Sequence, residues 1–203
     1  PAPEFTSVPA DETIEFGTEV SDEMALATDN CDGLTVTVSE ETAMGDCDGN
    51  YVVTRTFTAV DACGNTSVAV QTVTVEDTTA PALTVGADVT IECDEEIPAE
   101  SYTVSDLSEV DVDVTEEILP GDCPQAMTVV RTYLATDECG NSTSLTQTIE
   151  IVDTTAPVFS YTPPAMTVSY ASEGEDISTP FAIVVDNCDE DAGYTLEETI
   201  LVC

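Results

Sequence analysis

Residues 54–85 read TRTFTAVDACGNTSVAVQTVTVEDTTAPALTV, and residues 130–161 read VRTYLATDECGNSTSLTQTIEIVDTTAPVFSY, so one pattern occurs twice. The same 76-residue offset separates Cys63 from Cys139, the two arginines, and the aspartates that open the two Asp-Thr-Thr-Ala-Pro segments. Each copy alternates apolar and polar residues on both sides of a Gly-Asn turn, which predicts a β-hairpin. A self-copy at a fixed spacing indicates a tandem array.

Working outward from the hairpins, the sequence divides into three repeats at residues 1–77, 78–153 and 154–203, the last of which stops in mid-repeat. Each repeat opens on an Ala-Pro strand and carries about seven short alternating segments with turn residues every 8–12 positions. This pattern predicts an all-β fold of tandem immunoglobulin-like antiparallel β-sandwiches arranged end to end. We expect no helix, and we expect the chain to be a window from a longer array.

The charge of the chain restricts its partners. The 203 residues include 42 Asp and Glu but only two Arg, no Lys and no His, for a formal charge of −40. Phosphate binding needs cations, so nucleic acid is excluded as a partner, and anionic membrane surfaces are excluded likewise. No apolar run is long enough for membrane insertion. Divalent cations would relieve the self-repulsion of so negative a shell.

Several segments together carry a resemblance to a known family. These are TIEC at 90–93, the Asp-Asn-Cys-Asp loops, PGDC at 120–123, the Cys-Gly-Asn hairpins and the Asp-Thr-Thr-Ala-Pro linkers. They resemble the hyalin-repeat-like, immunoglobulin-like modules of large bacterial surface proteins, notably of Bacteroidota. The resemblance covers all three repeats and implies an extracellular adhesin stalk or surface fibre without enzyme activity. Two departures are that Phe16 replaces the cysteine of TIEC and that Leu107–Ser108 replace Asn-Cys.

The eight cysteines, with no His and no CxxC pair, favour disulfides over zinc and hence an oxidising compartment. Cys47 and Cys63 are 16 positions apart at the two ends of one hairpin strand, which holds them too far apart for a disulfide. The same separation excludes a Cys123–Cys139 bond. The expected proximity of strand ends within one sandwich favours three bonds: Cys31–Cys47, Cys93–Cys139 and Cys188–Cys203. Cys63 and Cys123 are then left over, either as free or buried thiols or as partners in bonds between repeats or chains.

Acidic residues gather at strand ends, where the linker aspartate of one repeat would meet the loops of the next. Ca²⁺ takes six to eight oxygen ligands from such carboxylates and carbonyls, by analogy with cadherin linkers. An alternative is that these loops are solvated turns that use ordinary Asp and Asn turn chemistry. The candidate Ca²⁺ ligands are Asp29, Asp32, Asp77, Asp94, Glu95, Asp137, Asn141 and Asp153.

Two further features have competing explanations. Asp-Thr-Thr is similar to the O-glycosylation motif of Bacteroidota, which would place sugars on Thr78 and Thr154, although linker geometry accounts for it equally well. Arg55 and Arg131 fall on the apolar side of a strand, so we expect each to spread over the core and pair with a glutamate, Glu15 or Glu40–Glu41 for the first and Glu92 or Glu116–Glu117 for the second.

The sequence therefore predicts a non-enzymatic, extracellular, cell-surface stalk stiffened by Ca²⁺ and disulfides, whose partners are neighbouring repeats of the same chain. One alternative is a subunit of a self-assembling filament that contacts copies of itself. A second alternative is a carbohydrate-binding module that contacts surface glycans, although Trp is absent and aromatic residues make up only 5%. Glycoside hydrolysis needs only two carboxylates, but no pattern of residues indicates a catalytic pocket.

Overall fold

The computed structural model describes residues 1–30, 32–123, 125–164, 181–189 and 191–195. These residues form strands and turns with no helix, which confirms the all-β prediction, and none of them belongs to a helix long and apolar enough to cross a bilayer. The strands are β1 (Glu4–Ser7), β2 (Glu12–Glu15), β3 (Leu26–Thr28), β4 (Thr35–Met44), β5 (Tyr51–Val60), β6 (Thr66–Glu76), β7 (Ala82–Val85), β8 (Val89–Glu92), β9 (Tyr102–Ser105), β10 (Val110–Pro120), β11 (Met127–Asp137), β12 (Ser142–Val152), β13 (Val158–Tyr161) and β14 (Ile183–Val185).

Internal contacts divide the chain into two compact units, and each is described by itself. The first unit consists of Pro1–Val85, Ser101–Thr115 and Thr132–Leu145, and the second of Gly86–Glu100, Glu116–Arg131 and Thr146–Cys203. The first unit therefore contains the whole first repeat, the first Asp-Thr-Thr-Ala-Pro linker and part of the second repeat. The repeat boundaries at residues 77 and 153 stay a prediction.

The first repeat has a four-stranded sheet in the order β2-β6-β5-β4 and a two-stranded sheet of β1 and β3. Strands β5 and β6 form the predicted hairpin, with Tyr51 opposite Val75 and Val60 opposite Thr66. Alternation places every second side chain of β5 and β6 on one face, where they meet the core cluster of Val53, Val73 and Val75. Phe57 and Ala59 on β5 are fully buried on that face as well.

One pairing differs from the expected antiparallel arrangement. Strand β2 lies parallel to β6, with Glu12 beside Val73. Pro9 interrupts the chain between β1 and β2, and the two strands belong to different sheets. The entry to β2 is fixed on β6, because the Gln71 amide donates to the Ala10 carbonyl at 2.8 Å and the Thr72 N–H donates to Asp11 Oδ1 at 2.7 Å. Strand β8 pairs with β12 in the same parallel sense.

The second repeat repeats this sheet order as β10-β11-β12-β8, with β7 paired to β9. In the first unit, Leu83 of β7 and Val104 of β9 pack against Tyr133, Ala135 and the valines of β10, so two sheets face each other across a core. In the second unit, a separate cluster contains Ile91, Val129, Ile149 and Ile151. These packed faces are those of a β-sandwich.

Each arginine lies buried beneath a sheet, as the sequence predicted. Arg55 is 2% exposed, and its guanidinium donates to Glu40 Oε1 at 3.0 Å, to Gln71 Oε1 at 3.0 Å and to the Glu23 carbonyl at 3.1 Å. It also lies 5.3 Å from the centroid of the Phe57 ring. Arg131 Nε likewise donates to Glu116 Oε1 at 2.5 Å. Both arginines are therefore buried structural residues of the sheets.

The Asp-Thr-Thr linker is fastened to the end of β2 by one carboxylate. Glu15 accepts hydrogen bonds from the Thr78 N–H at 2.9 Å, the Thr78 hydroxyl at 2.7 Å and the Thr79 hydroxyl at 2.6 Å. These bonds, that from the Thr79 hydroxyl most strongly, lower the pKa of Glu15 from its ordinary 4.5 to about 2. In the second unit Glu92 accepts hydrogen bonds from the N–H and the hydroxyl of Thr154. We call this binding of the linker threonines by one glutamate the linker clamp, and it occurs at both linkers.

Replacement of the buried arginine should destabilise the protein far more than replacement of its partner. Arg55→Met leaves Gln71 Oε1 and the Glu23 carbonyl without their donor, and we expect a loss of about 3 kcal/mol. The side chain of Glu40 is 53% exposed, so Glu40→Gln should cost about 1 kcal/mol or less. Urea denaturation at pH 7 measures both; equal losses would contradict a structural role for the buried guanidinium.

The linker clamp should make stability depend on pH in the acid range. Because the folded pKa of Glu15 lies below its unfolded value, its contribution is complete above about pH 4.5 and is lost as the pH falls towards about 2. We expect Glu15→Gln to lower the urea midpoint at pH 7, and the gap from wild type to close between pH 4.5 and 2. Glu12→Gln, on the same strand, is the control; a gap that persists at pH 2 contradicts the clamp.

Candidate cation site at the first repeat joint

The joint is built around the backbone and side chain of Asp77, directly after β6. Its N–H donates to Asn50 Oδ1 at 2.9 Å, and its carbonyl accepts from the Asn141 amide at 2.9 Å. Asp77 Oδ1 accepts from the Thr79 N–H at 3.2 Å, which turns the linker. Asn50 belongs to the first repeat and Asn141 to the second, so Asp77 is held from both sides.

The second-repeat hairpin presents Asp137 to this joint in a fixed orientation. Its turn closes with the Asp137 N–H donating to the Asn141 carbonyl at 3.0 Å, and Gly140 supplies the left-handed conformation at φ 91°. The carboxylate of Asp137 accepts from the N–H of Asn141 at 2.8 Å and from its side-chain amide at 2.9 Å. The DxCGN turn chemistry therefore positions an acidic side chain as well as reversing the chain.

Asp106 completes the site from the loop after β9. Its Oδ1 accepts from the N–H and the hydroxyl of Ser108, both at 3.0 Å. Carboxylate oxygens of Asp77, Asp106 and Asp137 all lie within 4.8 Å of one another. Three carboxylates from three separate segments thus converge at one point of the first unit.

The charges at this point are not balanced by a side-chain cation. Asp77 and Asp137 are only 7% and 5% exposed, and Asp77 Oδ2 is buried without a hydrogen-bond partner among the described residues. The two arginines are engaged with Glu40 and Glu116. Buried like charges and an unpaired carboxylate oxygen cost free energy, whereas oxygens up to about 5 Å apart can share one Ca²⁺ with bonds of about 2.3–2.6 Å. The donor set therefore fits a hard divalent cation.

A disulfide crosses the same joint. Cys47, in the turn between β4 and β5, is bonded to Cys139 of the second-repeat hairpin, with their Cα atoms 5.3 Å apart. Gly49 admits this contact, because an added Cβ there would lie 2.6 Å from Asp77 Cβ and 3.1 Å from Cys139 Sγ. The disulfide therefore lies beside the acidic group and joins the β4–β5 turn of the first repeat to the hairpin of the second.

The cysteine pairs expected from the sequence are wrong. Cys31–Cys47 and Cys93–Cys139 are replaced by Cys47–Cys139, and Cys188–Cys203 by Cys93–Cys188; Cys31 and Cys203 lie outside the described residues. The expectation considered strand ends within one sandwich, whereas the bonds join one repeat to the next. Cys63 and Cys123, expected to be left over, are both free and exposed.

The second unit bonds Cys93, after β8, to Cys188, after β14, with their Cα atoms 5.7 Å apart. A carboxylate oxygen of Asp153 lies within 4.8 Å of both sulfurs, but two sulfurs that are bonded to each other are not thiolate ligands, so the group does not resemble a metal site. At the first joint the equivalent positions hold Phe16 and Ser108, so no disulfide can form there. Phe16 and Leu107, the residue before Ser108, line one cleft of about 240 Å³.

The other predicted ligands are not gathered at this site. Asp94 and Glu95 are exposed in the turn after β8 in the second unit, where Glu95 accepts from the Glu92 N–H at 3.0 Å. Asp29 is half-buried and Asp32 is exposed near the other end of the first repeat. As metal ligands these four stay predictions, whereas Asp77, Asp137 and Asn141 are brought together.

Asp106 was missed by sequence reasoning, although a signal was present. It follows a strand in the second repeat as Asp29 does in the first, 77 residues earlier, and Asp29 was among the candidates. The substitution of Asn-Cys by Leu107–Ser108 directly after it obscured the equivalence. The hydroxyls of Thr78 and Thr154, the predicted sugar acceptors, both donate to glutamates, and their glycosylation stays a prediction.

Comparison with known proteins gives structural likenesses only. No family model and no curated protein sequence matches the chain. Solved structures similar to it include human mucin-like protocadherin EC1-2 (12% identity, TM-score 0.31, 74% of this chain and 98% of that one). Others are Drosophila N-cadherin EC1-4 (13%, 0.30, 79% and 53%) and the human desmocollin-1 ectodomain (13%, 0.28, 78% and 43%). At these identities and TM-scores the likenesses do not bear on function.

Proposed function

We propose that this chain is a non-enzymatic structural segment of an extracellular surface protein, an adhesin stalk or fibre, in which a disulfide fixes each repeat to the next and a Ca²⁺ ion stiffens the first joint. The observation that carries this proposal is the first joint. There, the Asp77 backbone is hydrogen-bonded to both repeats, Cys47–Cys139 crosses between them, and carboxylate oxygens of Asp77, Asp106 and Asp137 lie within 4.8 Å of one another. The resemblance to hyalin-repeat-like surface modules points to the same role.

Disulfides support the extracellular location. The two bonds join residues 92 and 95 positions apart, and structural bonds of this kind persist in oxidising compartments. Each repeat is small for an independent core, so cross-links and cations add stability that apolar burial alone does not supply. Such reinforcement suits a tandem segment that must stay stiff.

Calcium is the cation that the donors favour. All of the converging atoms are oxygens, which suit hard cations rather than zinc or copper. Three carboxylates from separate segments do not form the strict octahedron that Mg²⁺ demands, whereas Ca²⁺ accepts irregular sets completed by carbonyls and water. Asp77, Asp106 and Asp137 would hold the ion, and its charge would offset their mutual repulsion.

Loss of the inter-repeat disulfide should lower stability strongly. The bond closes a loop across 92 positions, for which chain entropy predicts about 4–5 kcal/mol. We expect the double variant Cys47→Ser/Cys139→Ser to lose stability of that order in urea denaturation. Cys63→Ser/Cys123→Ser removes two exposed thiols and should change stability little. If the two double variants unfold alike, the cross-link does not fix the joint.

Calcium should raise the melting temperature of wild type clearly more than that of Asp106→Asn. At a hundredfold excess over Kd, binding to the folded state alone adds about 2.7 kcal/mol. In chelator the order should reverse: Asp106→Asn should melt above wild type, because one of three repelling charges is gone. Differential scanning calorimetry, with and without Ca²⁺, measures both effects.

Asp113→Asn is the matched control, since it removes the same charge from an exposed position of β10. It should keep the full response to calcium. Isothermal titration should give a Kd at least about tenfold weaker for Asp106→Asn than for this control. Equal affinities, or a wild-type melting temperature that ignores both calcium and chelator, would show that the acidic group binds no ion, while leaving the disulfide result to stand by itself.

A further inference from the structure

The turn that carries Cys47 also holds the backbone of Asp77. The Asn50 N–H donates to the Cys47 carbonyl at 3.0 Å, and the Gly45 N–H donates to the Asn50 carbonyl at 2.7 Å, so two backbone bonds close the turn. The Asn50 side-chain amide donates to Asp46 Oδ1 at 3.0 Å, while its Oδ1 accepts from the Asp77 N–H at 2.9 Å. The positions of Cys47 and Asp77 are therefore fixed by the same asparagine.

The hairpin tip that carries Cys139 also carries part of the cation site. Asp137 and Asn141 flank Cys139, and the turn closes with the Asp137 N–H donating to the Asn141 carbonyl at 3.0 Å. Asp137 supplies one of the three converging carboxylates, and the Asn141 amide donates to the Asp77 carbonyl at 2.9 Å. A covalent bond at Cys139 therefore restrains the backbone that presents two residues of the site.

The disulfide and the unpartnered carboxylate oxygen meet at Gly49. A Cβ added at Gly49 would lie 3.0 Å from Asp77 Oδ2 and 3.1 Å from Cys139 Sγ, so both atoms border the same small space. Asp77 Oδ2 is the buried oxygen that has no hydrogen-bond partner among the described residues. A shift of the Cys139 turn would therefore change the surroundings of the oxygen that most needs a cation.

Without a cation, the carboxylates oppose the approach of the two cysteines. Asp77 and Asp137 are only 7% and 5% exposed, so water screens the repulsion between their charges weakly. That repulsion pushes the Cys139 hairpin away from the Asp77 linker and, through Asn50, away from the Cys47 turn. A divalent cation between the carboxylates replaces this repulsion by attraction and draws the two turns together.

We propose that calcium binding at the first joint promotes formation of the Cys47–Cys139 disulfide, and that the disulfide in turn raises the affinity of the joint for calcium. The two effects are one coupling free energy, so the two factors must be equal. This inference rests on the cation site of the proposed function. It adds that the ion favours and protects the cross-link, as well as stiffening the joint.

The oxidant is a small-molecule disulfide such as oxidised glutathione. One protein thiolate, of Cys47 or Cys139, attacks a glutathione sulfur and releases a glutathione thiolate. The other protein thiolate then attacks the protein sulfur of the mixed disulfide and releases the second glutathione thiolate. Two protein thiols are oxidised, one oxidised glutathione is reduced, and the two protons that the protein thiols lose are taken up by the two glutathione thiolates. Calcium is not consumed, and it favours the second step, in which the two turns must meet.

The test measures both described disulfides in one molecule. Exchange is restricted to Cys47–Cys139 and Cys93–Cys188 by four substitutions in the full chain: Cys31→Ser, Cys63→Ser, Cys123→Ser and Cys203→Ser. This chain is equilibrated in glutathione redox buffers with calcium, with magnesium or with chelator, trapped by alkylation and mapped by peptide mass spectrometry. We expect calcium to raise the equilibrium constant for the Cys47–Cys139 bond about tenfold, which lowers its reduction potential by about 30 mV.

Cys93–Cys188 is the internal control, because it belongs to the second unit and its equilibrium constant should not change. Asp106→Asn should remove most of the calcium effect on Cys47–Cys139, whereas Asp113→Asn should retain it. An equal rise for both disulfides, or an equal rise with magnesium, would show that calcium only screens the charge of the chain. Either result would overturn the proposal.

The reciprocal measurement is the calcium affinity with and without the bond. Isothermal titration should give a Kd about tenfold weaker when Cys47→Ser and Cys139→Ser are added to the same chain, the factor found in the redox titration. Equal affinities with an unchanged redox equilibrium would overturn the coupling and leave the proposed calcium site intact. A parent chain that binds no calcium would overturn both. If the added substitutions prevent folding, the redox titration of the parent chain decides by itself.

Discussion

The backbone of Asp77 is hydrogen-bonded to Asn50 in the first repeat and to Asn141 in the second, and the first unit depends on this double attachment. A linker hydrogen-bonded to one repeat only would allow the two repeats to rotate relative to each other. Attachment at both ends brings the Cys139 hairpin against the Cys47 turn, where a disulfide can form. It also buries the Asp77 carboxylate beside two others, an arrangement that is costly unless a cation joins it.

The same physical task is met differently at successive joints. Cys93–Cys188 covalently ties the second unit at positions where the first unit has Phe16 and Ser108, which cannot form a disulfide. Conversely, the acidic group at the first joint includes Asp106, whose neighbour Ser108 donates twice to it instead of offering a thiol. The glutamate clamp on the Asp-Thr-Thr linker is common to both units, at Glu15 and Glu92. The backbone scaffold is thus constant, while the cross-link varies.

The buried arginines show how a chain with two cations uses them. Arg55 and Arg131 satisfy buried carbonyl oxygens and one glutamate each, so they contribute to core structure and do not neutralise the acidic surface. Neutralisation is therefore left to ions from solution.

The sequence by itself determined the strands, the hairpins and the buried arginines, because these depend on period-2 alternation and on turn residues that act within a few positions. It also predicted that Asp77 would meet Asp137 and Asn141, although it expected Asp94 and Glu95 at the same place, and these two belong to the second unit. Only the tertiary structure decided the cysteine partners, the parallel edge at β2 and the place of Asp106. Each of these depends on which surfaces of two successive sandwiches approach within a few ångströms, and no local pattern encodes that distance.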